Sequence, residues 1–528
     1  MNEIKSRKLP VGMQSFSEIR EGGYIYVDKT DLVWQIVNEG DKYNYLSRPR
    51  RFGKSILVDT IQCYLEGRKE LFEGLKIMRL EKDWIKHPVI RFDMSGAGSS
   101  AEELISYFED SFTELEKKYC ITEPPKLLSK RFKNIIMTAY EQSGQKVAIL
   151  IDEYDSPLQH SWKTPTHDGC TEVYRKVFAI LKEADQYEKF VFITGITKFT
   201  QISLFSVLNN LSNQSFNPLW APICGITEAE INEYLMPEQE KLAAKYNWTL
   251  QEVHDRLKDY YDGYHFSDED MTHIYNPFSL IKALASSKIQ NFWASSGATS
   301  LLPKFVDDME LRLKDFESCP IMRLTLETSD VTGGGPELFL YQSGYLTIKS
   351  FDEFGYILGF PNEEVRQALY ELVIPALTMR KDQEATTIQA ALMRQLGLCQ
   401  LSDAMKSLKA LIADVPYSNK KLAAMDMEER YRLIISSILN AIGFRTEVEH
   451  MLSTGRIDIL CTTPRYIYVL ELKLSKNGGL LAAEKQIKDN LYLEPFKADK
   501  KREVVGLAIE LEDMGKGLLS WKRTSNII

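Results

Sequence analysis

Up to about residue 225 the apolar residues follow two rhythms. Four short, nearly unbroken apolar runs, "YNYLS" (43–47), "PVIRFDMS" (88–95), "KVAILIDE" (146–153) and "KFVFITGI" (189–196), are rich in Val, Ile, Phe and Tyr. Such runs suit strands of a parallel sheet, whose two faces are both covered by helices. Helical patterns lie between them, such as "ILVDTIQCYL" (56–65) and "SAEELISYFEDSFTELEKKY" (100–119). The alternation predicts an open α/β sheet with crossover helices.

From "GITEAEINEYL" (225–235) to about residue 370 the pattern is mostly helical, with short strands. Aromatic-rich stretches there, "THIYNPFSLIKAL" and "ELFLYQSGYLTIKSF", suggest a three-helix or winged-helix-like module. Within it Tyr264, His265, Tyr275 and Phe278 read as packing residues. The polar "TMRKDQEATT" (378–387) reads as a connector. The last block opens with the helix "EERYRLIISSILNAIG", which Gly443 would cap. "RIDIL", "RYIYVLELKL", the helical "AAEKQIKDNLYL" and "REVVGLAIEL" complete an α-β-β-α-β order. No internal repeat is visible.

A length of 528 residues fits about three domains. The net charge of -9 argues against a surface that coats nucleic acid, while leaving room for a local basic groove. The 7 cysteines form no C-x-x-C pair, which fits a reducing cytoplasm better than a disulfide framework or zinc ribbon. "MNEIKSRKLP" lacks a signal peptide's apolar core, and no apolar run nears the ~18–20 residues of a membrane helix. A cytoplasmic protein with no membrane contact is the expectation.

"RPRRFGKS" (48–55) is a phosphate-binding loop with its first glycine replaced. The usual form is G-x-x-x-x-G-K-[ST]. Gly53 would let the backbone approach phosphate, Lys54 would reach the β and γ phosphates, and the Ser55 hydroxyl would ligate magnesium. Arg48 stands at the first glycine position, and Pro49 fixes its own φ near −65°, so the loop takes a different path in. Arg48, Arg50 and Arg51 would add positive charge, and Phe52 completes the stretch. The plain alternative is a basic turn between strand and helix. A second motif supports the loop: "VAILIDEYD" ends an apolar strand in Asp152 and Glu153. Asp152 would hold magnesium through water, and Glu153 would orient the attacking water. A third strand ends in Thr194 and Thr197, followed by Lys198, where a γ-phosphate sensor would lie between the other two strands.

Near the C-terminus, Asp458 on one strand faces Glu471 and Lys473 on the next. Residues two apart in a strand share a face. If "TTPR" (462–465) forms the turn, 461 pairs with 466 and 458 with 469, which leaves Asp458 diagonal to Glu471, roughly 7–8 Å away. The carboxylates could then share Mg²⁺ or Mn²⁺. Lys473 would position a water or stabilise developing charge. Glu428 or Glu429 on the preceding helix and Gln486 on the following one are further candidate ligands. A solvated hairpin with alternating charges is the plain alternative.

Taken together, these segments resemble a bacterial AAA-ATPase-like family with a C-terminal PD-(D/E)XK nuclease-like domain. "LPVGMQSFSEIREGGYIYVDKT", with Tyr26, Asp28, Lys29 and Thr30, is similar to the family's opening. "RPRRFGKS" resembles its modified loop, where arginine at position 48 is usual. "LIDEYDSPL", "TGITKFTQISLFSVLNNL", "YYDGYHF", "YNPFSL", "FWASSG", "YQSGYLTI", "LGFPNEEVR", "GRIDILCTTPRYIYVLELKL" and "QIKDNLY" extend the likeness over most of the chain. Arg432 departs from the His or Gln often found there. The resemblance implies a P-loop domain over 1–225 with a parallel sheet and helices on both faces, and a mostly helical middle module over 226–370. A helical connector over 371–420 and a restriction-endonuclease-like α/β domain over 421–528 would follow. It also implies ATP and magnesium binding. Two functions remain open: an ATP-regulated nuclease acting on DNA or RNA, or a nucleotide-dependent switch or scaffold whose nuclease-like domain binds without cutting. A homo-oligomer is compatible with both.

Overall fold

A computed structural model describes residues 8–198, 211–267, 269, 271–293, 316–328, 335–378, 382–413, 426–513 and 517–524. Parts of "TGITKFTQISLFSVLNNL", "FWASSG", "TMRKDQEATT" and the 371–420 connector lie outside the described residues. The chain divides into two compact units, Met1–Phe305 with Ser318–Asn362, and Val306–Glu317 with Glu363–Ile528. Among the described residues no helix is long and apolar enough to cross a membrane.

The first unit is built on a parallel five-stranded sheet. Its strands are β1 (Tyr43–Ser47), β2 (Val89–Asp93), β3 (Val147–Asp152), β4 (Glu188–Gly195) and β5 (Ser212–Asn213), in the spatial order β2-β3-β4-β1-β5. All four neighbouring pairs are parallel. Every residue of β3 is buried, so both its faces are covered. The helix Ala101–Lys118 buries Leu104, Phe108 and Phe112 at four-residue spacing, and Ser100 caps its start by accepting from the Glu103 N–H. With Phe132 of the helix Leu128–Ser143, these rings close on Phe92 of β2 at centroid distances of 5.5–6.1 Å. The order places β4 between β1 and β3, as read for the third strand. The two-residue β5 is too short to leave a pattern in the sequence.

The rest of this unit packs the helices Glu228–Tyr234, Met236–Tyr246, Leu250–Tyr261 and Pro277–Ser286 around Ile231, Leu242, Leu257, Leu280 and Leu284. Capping boxes at Thr227/Glu230 and Thr249/Glu252 start two of these helices. A two-residue pair, β6 (Ile226–Thr227) with β7 (Ile274–Tyr275), and a three-stranded antiparallel sheet accompany them. That sheet runs β8 (Cys319–Ile321), β10 (Gly355–Gly359), β9 (Thr347–Asp352) in space.

The second unit holds a mixed sheet in the order β11 (Arg445–Leu452), β12 (Gly455–Thr462), β13 (Tyr466–Leu474), β14 (Glu503–Leu511), β15 (Leu518–Thr524). β13 and β14 are parallel, joined through the helix Gly479–Asp489, and the other pairs are antiparallel. The helix Met427–Ala441 precedes β11. Gly443 follows it at φ 86° and donates to the Asn440 carbonyl at 3.0 Å, the capping role read from the sequence. Two strands are additional to the α-β-β-α-β reading. β11 and β15 are edge strands, and charged residues interrupt their alternation.

The register of the central hairpin also corrects the expectation. Thr462 pairs with Ile467 and Ile459 with Leu470, two residues away from the pairing that a 462–465 turn would give. Thr463 causes the shift. Its hydroxyl accepts from the Tyr466 N–H at 2.9 Å, and its own N–H donates to the Tyr466 carbonyl, so the turn is 463–466. A shift of two keeps every side chain on its face. Continued by one step, this register sets Asp458 opposite Glu471 rather than diagonal to it.

Candidate functional site

The loop after β1 reaches its helix through two left-handed residues, Arg51 (φ 66°) and Gly53 (φ 85°), and the helix Lys54–Leu65 begins directly after Gly53. At Gly53 no side chain is needed for contact, and glycine takes this φ without strain. Lys54 is buried and folds back on its own loop. Its Nζ donates to the carbonyls of Arg48 (2.9 Å) and Pro49 (3.0 Å). Burial lowers its pKa, while Glu153, Asp152 and Asp155 pull the other way. Arg48 departs from the expected role beside phosphate. Its guanidinium is buried, donates to the carbonyls of Ser47, Ser215 and Trp220, and lies 4.1 Å over the Phe266 ring. Phe52, fully buried, wedges against Tyr264 and Phe266.

Opposite the loop, the ends of β3 and β4 carry the acidic and hydroxyl groups. Asp152 is buried, accepts from the Glu153 N–H at 3.0 Å and has Ser55 beside it, the two residue types a magnesium site would use. Burial raises its pKa, and Ser55, Lys54 and Arg91 oppose the rise. Glu153 follows at φ 49°, with its pKa raised mainly by burial. Thr194 lies level with Leu46 of β1, and its buried hydroxyl has no hydrogen-bond partner among the described residues. Sequence reasoning missed Asp155. Buried, it accepts from the N–H groups of Ile196 and Thr197 and from the Thr197 hydroxyl, and so holds the end of β4 against β3. Only its place inside "LIDEYDSPL" could have flagged it.

A cavity of about 380 Å³ opens over this loop. Arg50 to Leu57 and Glu153 line one side; Met13, Ile25, Val27, Ile226, Phe278 and Ile281 give the other an apolar lining. Its size suits a small organic ligand. Tyr264, His265 and Tyr275 are buried, in keeping with packing roles. Phe278, partly buried, packs against the helical core and also lines the cavity, with Arg51 4.8 Å from its ring. Lys29, also lining the cavity, is buried in an ion pair with Glu230 at 2.6 Å.

In the second unit, Asp458, Glu471 and Lys473 come together. Asp458 Oδ2 accepts from the Leu472 N–H at 2.9 Å, across the hairpin. Glu471 is fully buried, and Lys473 Nζ lies 3.2 Å from its Oε1. Burial and then the Asp458 charge hold the Glu471 carboxyl well above the usual range. Burial also raises Asp458, against the pull of the Leu472 N–H, Lys473 and Arg432. Burial works against the Lys473 ammonium, but the two carboxylates outweigh it and raise its pKa. Glu428 reaches the same end of β13, accepting from the Leu474 N–H (3.1 Å) and from Asn477 (2.8 Å). Gln486 instead donates to the Tyr492 hydroxyl at 3.2 Å. Arg432 lies 3.6 Å from Asp458 and 2.6 Å from Glu449. No group of three His, Cys, Asp or Glu side chains placed to hold a metal occurs among the described residues. The two carboxylates nevertheless suit a divalent ion, because crowded like charges in a buried site are what a cation relieves.

Residues 10–205 match a family described as predicted AAA-ATPase, and residues 426–517 match the PD-(D/E)XK nuclease superfamily. A protein of Azotobacter chroococcum mcd 1, described as the uncharacterized protein in the vnfD 5' region, is 30% identical over 519 residues, 94% of this chain and 95% of its own. The phosphate loop and β3 fall inside the first matched range, and the carboxylate strands inside the second. The chain belongs to the AAA-ATPase-like family and carries a PD-(D/E)XK nuclease superfamily domain at its C-terminus.

Proposed function

We propose that the first unit binds and hydrolyses ATP with magnesium, and that the second cuts a phosphodiester of DNA or RNA with a bound divalent ion. In the first unit, phosphate oxygens would replace the loop carbonyls as partners of Lys54. Ser55 and Asp152 would hold magnesium, and Glu153 would orient the attacking water. The apolar side of the cavity would take the base, while Arg50 and Arg51 supply positive charge at its rim.

In the second unit, Asp458 and Glu471 would hold the ion, Mg²⁺ or Mn²⁺, with Glu428 close enough to orient a bound water. Such an ion polarises the phosphodiester and lowers the pKa of a bound water. Lys473, paired with Glu471, would stabilise charge that develops on the phosphate. The observation that carries this reading is the convergence of Asp458, Glu471 and Lys473 at one end of the β12–β13 hairpin. Purified chain, incubated with Mn²⁺ or Mg²⁺, ATP and labelled DNA or RNA, tests it: wild type should cut and Asp458→Ala should not.

A second reading, a nucleotide-dependent switch whose nuclease-like domain binds without cutting, is favoured by Arg432. Its guanidinium, 3.6 Å from Asp458, already supplies positive charge that a metal would otherwise bring to that carboxylate. No cleavage by wild type under any nucleotide condition, with Asp458→Ala behaving identically, would select it.

A further inference from the structure

Tyr492 is almost fully buried, yet its hydroxyl is the centre of four hydrogen bonds. It accepts from the Arg456 N–H (3.1 Å), from Gln486 Nε2 (3.2 Å) and from Asn490 Nδ2 (3.1 Å), and it donates to the Arg456 carbonyl (2.8 Å). Both backbone groups of Arg456 are therefore fixed by one side chain from beyond the crossover helix. Gly455 makes the approach possible, since a Cβ there would stand 2.7 Å from the hydroxyl. Thr454 adds a 2.6 Å bond to the Asn490 carbonyl. The motif "QIKDNLY" is thus spent on holding Gly455 and Arg456 at the start of β12.

What is held so firmly carries a charge that reaches solvent. The Arg456 side chain is half-exposed, two residues before Asp458 on the same strand face. Its Nη1 lies 3.0 Å from Glu449 Oε1, the same oxygen that Arg432 Nη1 approaches at 2.6 Å, and that Arg432 nitrogen is 3.6 Å from Asp458. Glu449 is thus neutralised by the more buried Arg432, and the solvent-facing pair to Arg456 is the weaker partner of the two. A guanidinium in this position can exchange a carboxylate for a phosphate, which it binds in the same two-pronged way. We propose that Arg456 grips the phosphodiester backbone of a nucleic acid beside the Asp458–Glu471 pair, and that Tyr492 is the positioning residue that aims it. The inference rests on the nuclease reading above and names the group that would hold its substrate.

The test uses the full chain and fluorescein-labelled DNA and RNA oligonucleotides. Binding is read by anisotropy over a salt series without divalent metal, so that it is independent of cutting; cutting with Mn²⁺ is read as KM and kcat. Arg456→Ala should weaken binding roughly ten-fold or more and reduce the log–log salt slope by about one. Arg456→Lys should keep the slope. Tyr492→Phe should raise KM in the same direction, and the double variant should be no worse in KM than Arg456→Ala alone. Wild-type affinity and slope in Arg456→Ala, or no oligonucleotide binding by wild type, would overturn the grip. An unchanged KM in Tyr492→Phe would overturn the positioning role. If wild type binds with a slope that Arg456→Ala lowers, yet cuts nothing, the cutting reading fails and the grip stands. If wild type cuts and Arg456→Ala cuts with the same KM, the grip fails and cutting stands.

Discussion

Lys54 spends its hydrogen bonds on two carbonyls of its own loop, in a place where burial disfavours its charge. A triphosphate offers that ammonium a better partner. Lys54→Ala should lower ATP affinity roughly ten- to hundred-fold, the worth of a charge-assisted contact, measured by calorimetry. Glu153→Gln should bind ATP as wild type does but release phosphate roughly 10²–10⁴-fold more slowly, because it keeps the shape and loses the base. In the second unit, Lys473→Ala should keep metal binding and lose roughly 10²–10³-fold in kcat, since its charge acts on the transition state. A residue far from either site has its own signature. Glu188, buried at the foot of β4, accepts from the Tyr43 hydroxyl at 2.6 Å, and burial raises its pKa to about 7. The unfolded chain releases this proton near the ordinary carboxylate value of about 4.3, while the folded chain keeps it. Stability from this group is therefore full below about pH 4.3 and falls as pH rises through about 7, by about 4 kcal/mol at most. Glu188→Gln should flatten that decline in thermal melts across the same window and raise the melting temperature above it.

At the scale of elements, the phosphate loop is anchored from behind. Phe52 packs on Tyr264, whose hydroxyl donates to the Gly344 carbonyl at 3.0 Å. Tyr264→Ala should lower the first melting transition, at about 3–5 kcal/mol for a buried aromatic truncated in place. Unchanged melting with lost ATP turnover would instead point to a ligand contact. The elements readable in the sequence are those whose burial is two-sided or strictly periodic: β1 to β4, the helices between them, and the β12–β13 pair. β5, β11 and β15 were not readable, because short or edge strands owe their existence to the neighbour they pair with. The hairpin's faces followed from parity alone, but its register depended on the Thr463 hydroxyl. The places of Lys54, Asp152 and Asp458 on their helix and strands were visible because motif spacing fixes them. The contacts of Asp155 and Tyr492 were hidden, since each is made to backbone groups distant in sequence, and that of Arg456 was hidden because its partner Glu449 lies on the neighbouring strand.

For the molecule as a whole, two compact units with separate cores should answer to separate ligands. Calorimetric melting should resolve two transitions. ATP with Mg²⁺ at about a hundred times its dissociation constant should stabilise one of them by about 2.7 kcal/mol. Mn²⁺ without nucleotide should raise the other, and Asp458→Ala should abolish only that second shift. A single transition moved by both ligands would contradict two independently melting units.

Arg48 shows how a protein can be held to its own version of a loop. With the guanidinium seated under three carbonyls and against Phe266, a change to the more common glycine would leave those carbonyls without a donor and a void where the side chain lay. The conventional loop is one substitution away in sequence, but that change made alone should destabilise the chain, because the surroundings of Arg48 are built around its guanidinium. A chain that carries Arg48 should therefore keep it unless the residues around it change as well. On the proposed function, changes in nucleotide preference would fall on Arg50, Arg51 and Phe278 around the cavity while the loop beneath stays fixed.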